Sequence, residues 1–341
     1  MRYNALETKL KSMKANLFDY EYYILLSKAK NIREITDELK KNYSYNKFIS
    51  ELDEKNLHRS DIERKLFLSL RNDFKKIYRF VFSFDLKKYL DAFFLKYEVY
   101  ILKLVLCMIY DKRELKYNLS ELDYIIGSKL KIDVSKLRNS ENVEQFIFNL
   151  QGTEFFEFMS KSYKETKSLF ELEMKLDLYY YLKLDKAIDK YLGGKDKSVL
   201  KKMNGIEVDL TNISMIYRIK KYYKMADKKI FGYLIPLGYK LKKDDIIKFS
   251  GANNLLELEN MVCDSFYGHW FKKESFNNVE KVMYDCLSEI YYRAYLNSKD
   301  SIFSVVYYFY LKKLEINNIT SLIEGVRYKL DSDEIMDYIF I

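Results

Sequence analysis

Apolar and polar positions alternate with a helical period along most of the chain. Residues 170–192, FELEMKLDLYYYLKLDKAIDKYL, place Leu172, Leu176, Tyr179, Tyr180 and Leu184 on one side of a helix. Residues 278–296, NVEKVMYDCLSEIYYRAYL, do the same with Val279, Met283, Leu287, Ile290 and Tyr291. Gly193–Gly194 followed by KDKS ends the first of these helices in a loop. Near residue 330, Asp331 with Glu334 three positions on reads as an N-cap. No segment shows convincing strand alternation. One proline, Pro236, and ten glycines in 341 residues leave few helix breakers and few tight turns for hairpins. The expected fold class is all-α.

A second pattern lies above the helical one. Residues 208–224, VDLTNISMIYRIKKYYK, and 314–329, LEINNITSLIEGVRYK, both run acid, apolar, any residue, Asn, Ile. Asp209 and Asn212 match Glu315 and Asn318. A third relative, YEVYILKLVL at 97–106, keeps the acid as Glu98 but carries Ile101 where the others have Asn. The three acids are 111 and 106 residues apart. Upstream, IERKL (62–66), LEMKL (172–176) and VEKVM (279–283) supply Glu63, Glu173 and Glu280, which precede the acids by 35, 36 and 35 residues. Gly127 in YIIGSKL (124–130) and Gly238 in IPLGYKL (235–241) are 111 apart. The segments 32–45, 143–155 and 256–267 bring Leu39, Leu150 and Val262 to intervals of 111 and 112. The chain therefore reads as three copies of a helical unit of about 110 residues, a period too long for a solenoid of small repeats. The expected domains are 1–114, 115–231 and 232–341, related by pseudo-threefold symmetry, with boundaries in KYNLSE and FGYLIPLG.

Composition narrows the chemistry. A hydrophobic content of 48% supports a substantial core. Thirty-three Tyr and 23 Phe supply large apolar areas, and each Tyr has a polar tip suited to a half-exposed surface. Three widely spaced cysteines, Cys107, Cys263 and Cys286, argue against a disulfide framework and for a reducing compartment; they read as small buried apolar groups rather than nucleophiles. Two histidines, His58 and His269, offer no zinc spacing, and His269 in GHW (268–270) reads as a packed or surface residue. There is no glycine-rich phosphate loop. Neither a catalytic constellation nor a cofactor or metal site is expected. The first fourteen residues are charged throughout and do not resemble a signal peptide. The apolar runs SIFSVVYYFYL (301–311, ending at Lys312) and VYILKLVLCMIY (99–110, containing Lys103) fall short of the roughly 18–20 residues that span a bilayer. YYY (179–181) and YYFY (307–310) read as core and interface packing.

An acid and an Asn three residues apart share a helix face. Asn is both donor and acceptor, and a carboxylate can accept from backbone amides or a basic side chain. The simplest reading is that each copy uses the pair to fix its own packing; the alternative is an interaction surface repeated around a symmetric opening. Glu63, Glu98, Glu173, Asp209, Asn212, Glu280, Glu315 and Asn318 are thus the structural or partner-interface candidates. Charge is uneven. Residues 218–243 hold nine cations against Asp227 alone, close to the +9 of the entire chain. Arg218, Lys220, Lys221, Lys224, Lys228 and Lys229 form a candidate basic interface for an acidic partner or lipid head groups, against the plainer reading of a solvated helix face. A basic helical nucleic-acid-binding protein is the alternative function. The aromatics follow the apolar helical phase, however, and do not interleave with the lysines.

With the copies laid out, the sequence resembles the C subunit of the bacterial and archaeal V/A-type rotary ATPases, the counterpart of the d subunit in eukaryotic V-ATPases. Residues 4–45 resemble that family's opening pattern, and FELEMKLDLYYYLKL with EVDLTNISMIYRIKKYY its most recognisable segment. FGYLIPLGYKL is similar to its turn, with Leu237 where a Gly is usual. EINNITSLIEGVRYKLDSDEIMDYI resembles its tail, including Gly325. Ile101, Thr320 and Glu324 depart from the family pattern. The resemblance implies three pseudo-symmetric helical domains forming a funnel. It also implies a non-enzymatic adapter on the cytoplasmic side of the membrane, between the central stalk subunits (D and F types) and the proteolipid c/K ring. The membrane surface would be reached through the ring. Torque would be transmitted for H⁺ or Na⁺ transport, with no cofactor and no nucleic acid.

Overall fold

Among the described residues six long helices, in three consecutive pairs, dominate: α1 (Arg59–Arg79) and α2 (Phe84–Asp111), α3 (Leu169–Tyr191) and α4 (Gly194–Tyr222), α5 (Val279–Asn297) and α6 (Phe303–Tyr328). The structure is a computed structural model that describes residues 3–53, 57–111, 132–223, 225–272, 276 and 278–340. Gly127, the boundary near 115 and Lys224 lie outside the described residues. No strand occurs among those described, so the fold is all-α, as the sparse proline and glycine anticipate. Gly193–Gly194 makes the turn between α3 and α4, with Gly194 at φ +53° where a side chain would be strained.

The apolar face read for α3 is the buried one: Leu172, Leu176, Tyr179, Tyr180 and Leu184 are all in the core. In α5 the buried seam is Val279, Val282, Cys286 and Tyr291, while Met283, Leu287 and Ile290 are half-buried. The seam is rotated by one position because Cys286, fully enclosed, acts as an apolar core residue. Cys107 and Cys263 are only half-buried. Tyr307, Tyr308 and Phe309 of α6 are buried, as core packing requires.

Short helices precede each long pair, and three of them start alike. Asn31, Asn142 and Asn254, spaced 111 and 112 residues apart, each cap a helix by accepting from the backbone N–H three positions on. The side chains of Glu34, Gln145 and Glu257 reciprocate to the backbone N–H of Lys30, Glu141 and Asn253. Such a cap contributes about 1 kcal/mol. One turn inside, Ile35, Phe146 and Leu258 are fully buried, and so are Leu39, Leu150 and Val262. Asp331 and Glu334 form a reciprocal capping box, as expected.

The chain packs as two compact units. One comprises Met1–Phe82, Arg113–Ser140 and Lys299–Ile341; the other comprises Ser83–Lys112 and Glu141–Ser298. In the first, α6 packs on α1. In the second, α2 packs on α3, α3 on α4 and α4 on α5. Compact packing thus cuts across the sequence periodicity, joining the last long helix to the first 82 residues.

Candidate functional site

The acid–asparagine pairs of α4 and α6 are buried, and both grip backbone. Asp209 is fully enclosed. Its Oδ2 accepts from the backbone N–H of Tyr239 (3.2 Å), Lys240 (2.6 Å) and Leu241 (3.2 Å), and from the Tyr267 hydroxyl (2.8 Å). Burial pushes the Asp209 carboxyl above the ordinary carboxylate range, and these four donors pull it back. Its Oδ1 faces Gly238, where an added Cβ would lie 2.3 Å from it. A side chain at 238 would therefore exclude the carboxylate. One turn on, Asn212 forms a two-point amide pair with Ile235, donating Nδ2 to its carbonyl and accepting its N–H, both at 2.9 Å.

Glu315 and Asn318 repeat this arrangement on different partners. Glu315 accepts from the backbone N–H of Phe18 at 2.6 Å and from the Tyr45 hydroxyl. Asn318 donates to the carbonyl of Phe340 (2.6 Å) and accepts its N–H (2.9 Å). The correspondence is positional. Phe18 and Tyr45 are 27 residues apart, as are Lys240 and Tyr267. Ile235 follows Asn212 by 23 residues and Phe340 follows Asn318 by 22. The sequence pattern suggests that each pair fixes its own copy. In the structure the α4 pair grips residues 235–241, beyond the expected boundary at 231, whereas in α6 Glu315 reaches Phe18 and Tyr45 near the start of the chain and Asn318 holds Phe340 within its own expected copy. Asparagine suits the second position because no other short side chain offers a donor and an acceptor side by side.

One member of the α6 clamp has no counterpart in α4. Lys312, fully buried, donates to Glu315 and to the Tyr45 hydroxyl, each at 2.8 Å. The equivalent positions three residues before Asp209 and Glu98 hold the buried apolar residues Ile206 and Leu95. A fully desolvated ammonium is tolerated only with such partners. In the sequence Lys312 marks the end of an apolar run; in the structure the helix continues through it. Tyr45 and Tyr267, the other residues that sequence reasoning missed, are distinguished beforehand only by ending the aligned short-helix segments.

The remaining candidates fall in separate environments. Glu98 lies half-buried in α2. Glu63 pairs with Arg59 within α1 at 2.5 Å. Glu173 accepts from the Cys107 thiol at 3.4 Å, and Glu280 is exposed in the first turn of α5. Of the basic group, Arg218 and Lys221 are exposed, Lys221 beside the rings of Tyr217 and Tyr222. Lys220 turns inward and donates to the Ala252 carbonyl at 2.7 Å, and Lys229 pairs with the buried Glu171 at 2.6 Å. Lys224 and the side chain of Lys228 are outside the described residues. Burial pushes the Cys107 and Cys286 thiols up to about 11 and about 12, which keeps them protonated and poor nucleophiles near neutrality. His269 is exposed, with its ring edge-on to Trp270. Among the described residues no group of three or more His, Cys, Asp or Glu could hold a metal ion, and no helix is long and apolar enough to cross a membrane.

The two clamps sit on the second long helix of two successive helix pairs. A family model for the ATP synthase (C/AC39) subunit matches residues 6–338. The chain belongs to the ATP synthase C/AC39 subunit family. The C subunit of the A-type ATP synthase from Methanocaldococcus jannaschii is 23% identical, over 98% of this chain and 85% of that protein. The subunit of the same name from Methanosarcina acetivorans is also 23% identical, over 98% and 91%. That from Methanosphaera stadtmanae is 27% identical, over 71% of this chain but only 60% of its own length. As a C/AC39 subunit the chain is an accessory component rather than a catalytic one.

Proposed function

We propose that this C/AC39 subunit is a rotor adapter. It seats the central stalk on the cytoplasmic face of the proteolipid ring and passes torque between them during ATP-coupled H⁺ or Na⁺ transport. The carrying observation is the pair of buried clamps. A torque-bearing part must not shear between its modules, and each clamp ties a long helix to a distant segment through several buried hydrogen bonds. That α6 holds Phe18 and Tyr45 as α4 holds Lys240 and Tyr267 also supports a closed, cyclic order of three repeats. The domains 1–114, 115–231 and 232–341 around a funnel belong to this reading. A nucleic-acid-binding role gains nothing: Lys220 is turned inward to the Ala252 carbonyl, and Lys229 is tied to the Glu171 carboxylate.

The test is affinity purification of the tagged chain from gently solubilised membranes of its source. Stalk and proteolipid subunits should copurify, and their absence under assembly-preserving conditions would overturn the proposal. Charge reversal at Arg218 and Lys221 asks whether the basic segment is one of the contacts. These two are exposed, so Arg218→Glu with Lys221→Glu should reduce copurification without altering the melting temperature. Unchanged copurification removes the segment from the interface.

A further inference from the structure

A second positive surface lies on α1, which belongs to a different compact unit from the basic segment at 218–229. Arg71, Lys75 and Arg79 follow one another at four-residue steps and so line one face, over about 12 Å of helix. The other cations of this helix are paired: Arg59 with Glu63, Arg64 with Asp61, Lys65 with Glu51 and Lys76 with Asp73. The stripe is not. Among the described residues no ion pair or hydrogen bond engages these three side chains, and the Arg71 Nε is enclosed without an acceptor. The Lys75 ammonium is held below its ordinary range by burial and by the neighbouring guanidinium groups, with no carboxylate offsetting them.

The stripe runs into an apolar tip. Immediately after α1, Val81 is anchored in the core at 2% exposure, and this turns its two neighbours outward. Phe80 is 37% exposed and Phe82 is 84% exposed. A narrow uncompensated row of cations ending in a protruding phenylalanine is the combination that anionic bilayer surfaces bind. The cations meet lipid phosphates and the ring enters the boundary between head groups and acyl chains. A rigid protein partner is a poorer fit, since a stable interface needs about 800 Å² on each side. A fluid surface closes around a single raised ring.

We infer that Arg71, Lys75, Arg79 and Phe82 form a docking surface for anionic phospholipid. The inference is independent of the stalk-and-ring proposal. The test is cosedimentation of the purified full-length chain with vesicles of phosphatidylcholine, alone or mixed with phosphatidylglycerol. Binding to the anionic vesicles, weakened by salt, and little binding to the neutral ones is expected. Lys75→Ala and Arg79→Ala should each weaken partitioning about 5-fold, the equivalent of about 1 kcal/mol per basic residue at such a surface. Phe82→Ser should weaken it about 10-fold. All three positions are exposed, and an unchanged melting temperature confirms that the fold is retained. Arg218→Glu with Lys221→Glu should leave vesicle binding intact. Equal binding to neutral and anionic vesicles would overturn the inference. So would binding carried by Arg218 and Lys221, or variants at 75, 79 and 82 that lose protein partners while keeping lipid.

Discussion

Removing Glu315 is the sharpest perturbation available, because it strands a charge that no solvent reaches. Lys312 has 0% exposure and its ammonium depends on Glu315 and the Tyr45 hydroxyl. Glu315→Ala leaves that ammonium with one neutral partner and the Phe18 N–H without its acceptor. Breaking a buried pair in this way costs about 3–5 kcal/mol, a large part of the roughly 5–15 kcal/mol that stabilises a typical domain. Lys312→Met removes the cation but leaves the carboxylate its donors from Phe18 and Tyr45, and should cost less, about 2 kcal/mol. The double variant Glu315→Ala with Lys312→Met has no buried charge, though it still leaves the Phe18 N–H without its acceptor. It should be more stable than Glu315→Ala and far better than the sum of the two single losses. Urea unfolding followed by circular dichroism gives the three values, and hydrogen exchange of residues 18–45 shows whether the segment comes loose. A Glu315→Ala cost below about 1 kcal/mol, or strict additivity in the cycle, would refute the reasoning.

Two further outcomes follow from the same geometry. Gly238→Ala should destabilise by about 2–3 kcal/mol and free the 235–241 loop, because the new Cβ would sit 2.3 Å from the Asp209 Oδ1; thermal melting and amide exchange of Tyr239–Leu241 report it. The protein should also unfold cooperatively in alkali. Burial pushes the phenols of Tyr45, Tyr89, Tyr180, Tyr291 and Tyr308 well above their ordinary value, so the folded state keeps protons that the unfolded state loses. Their contribution is intact below pH ~10 and falls above it. At pH ~11 the loss is about 1.4 kcal/mol for each phenol, together near the whole stability of a domain. Phenolate absorbance and helical dichroism should change together, and ionisation of these tyrosines ahead of unfolding would contradict the burial argument.

Much of this was legible in the residues. The helical class followed from a pattern with one proline and no strand alternation, because hydrogen bonding within a helix is local and so is its signature. The Asn212 and Asn318 pairs stood out because the same acid and asparagine recur at the same spacing 106 residues apart. The short-helix alignment at Leu39, Leu150 and Val262 coincides with buried positions under three matching caps. The buried face of α5 was less legible. Val282 and Cys286 compete there with Met283 and Leu287, and periodicity does not separate adjacent positions when a helix is apolar on more than one side.

The sequence by itself determined that the chain is helical, that its pattern recurs at about 110 residues, and that an acid and an asparagine share one helix face. Tertiary structure alone decided what they hold. Asp209 reaches Tyr239–Leu241 about thirty residues on, and Glu315 reaches Phe18 almost three hundred residues back. It also decided the state of Lys312, which in the sequence only ends an apolar run and in the structure is enclosed by Tyr45 and Glu315. A helix's own period is written in its neighbours. The partners of a buried charge are set by which distant segments the packing brings within three ångströms, and no local pattern records that.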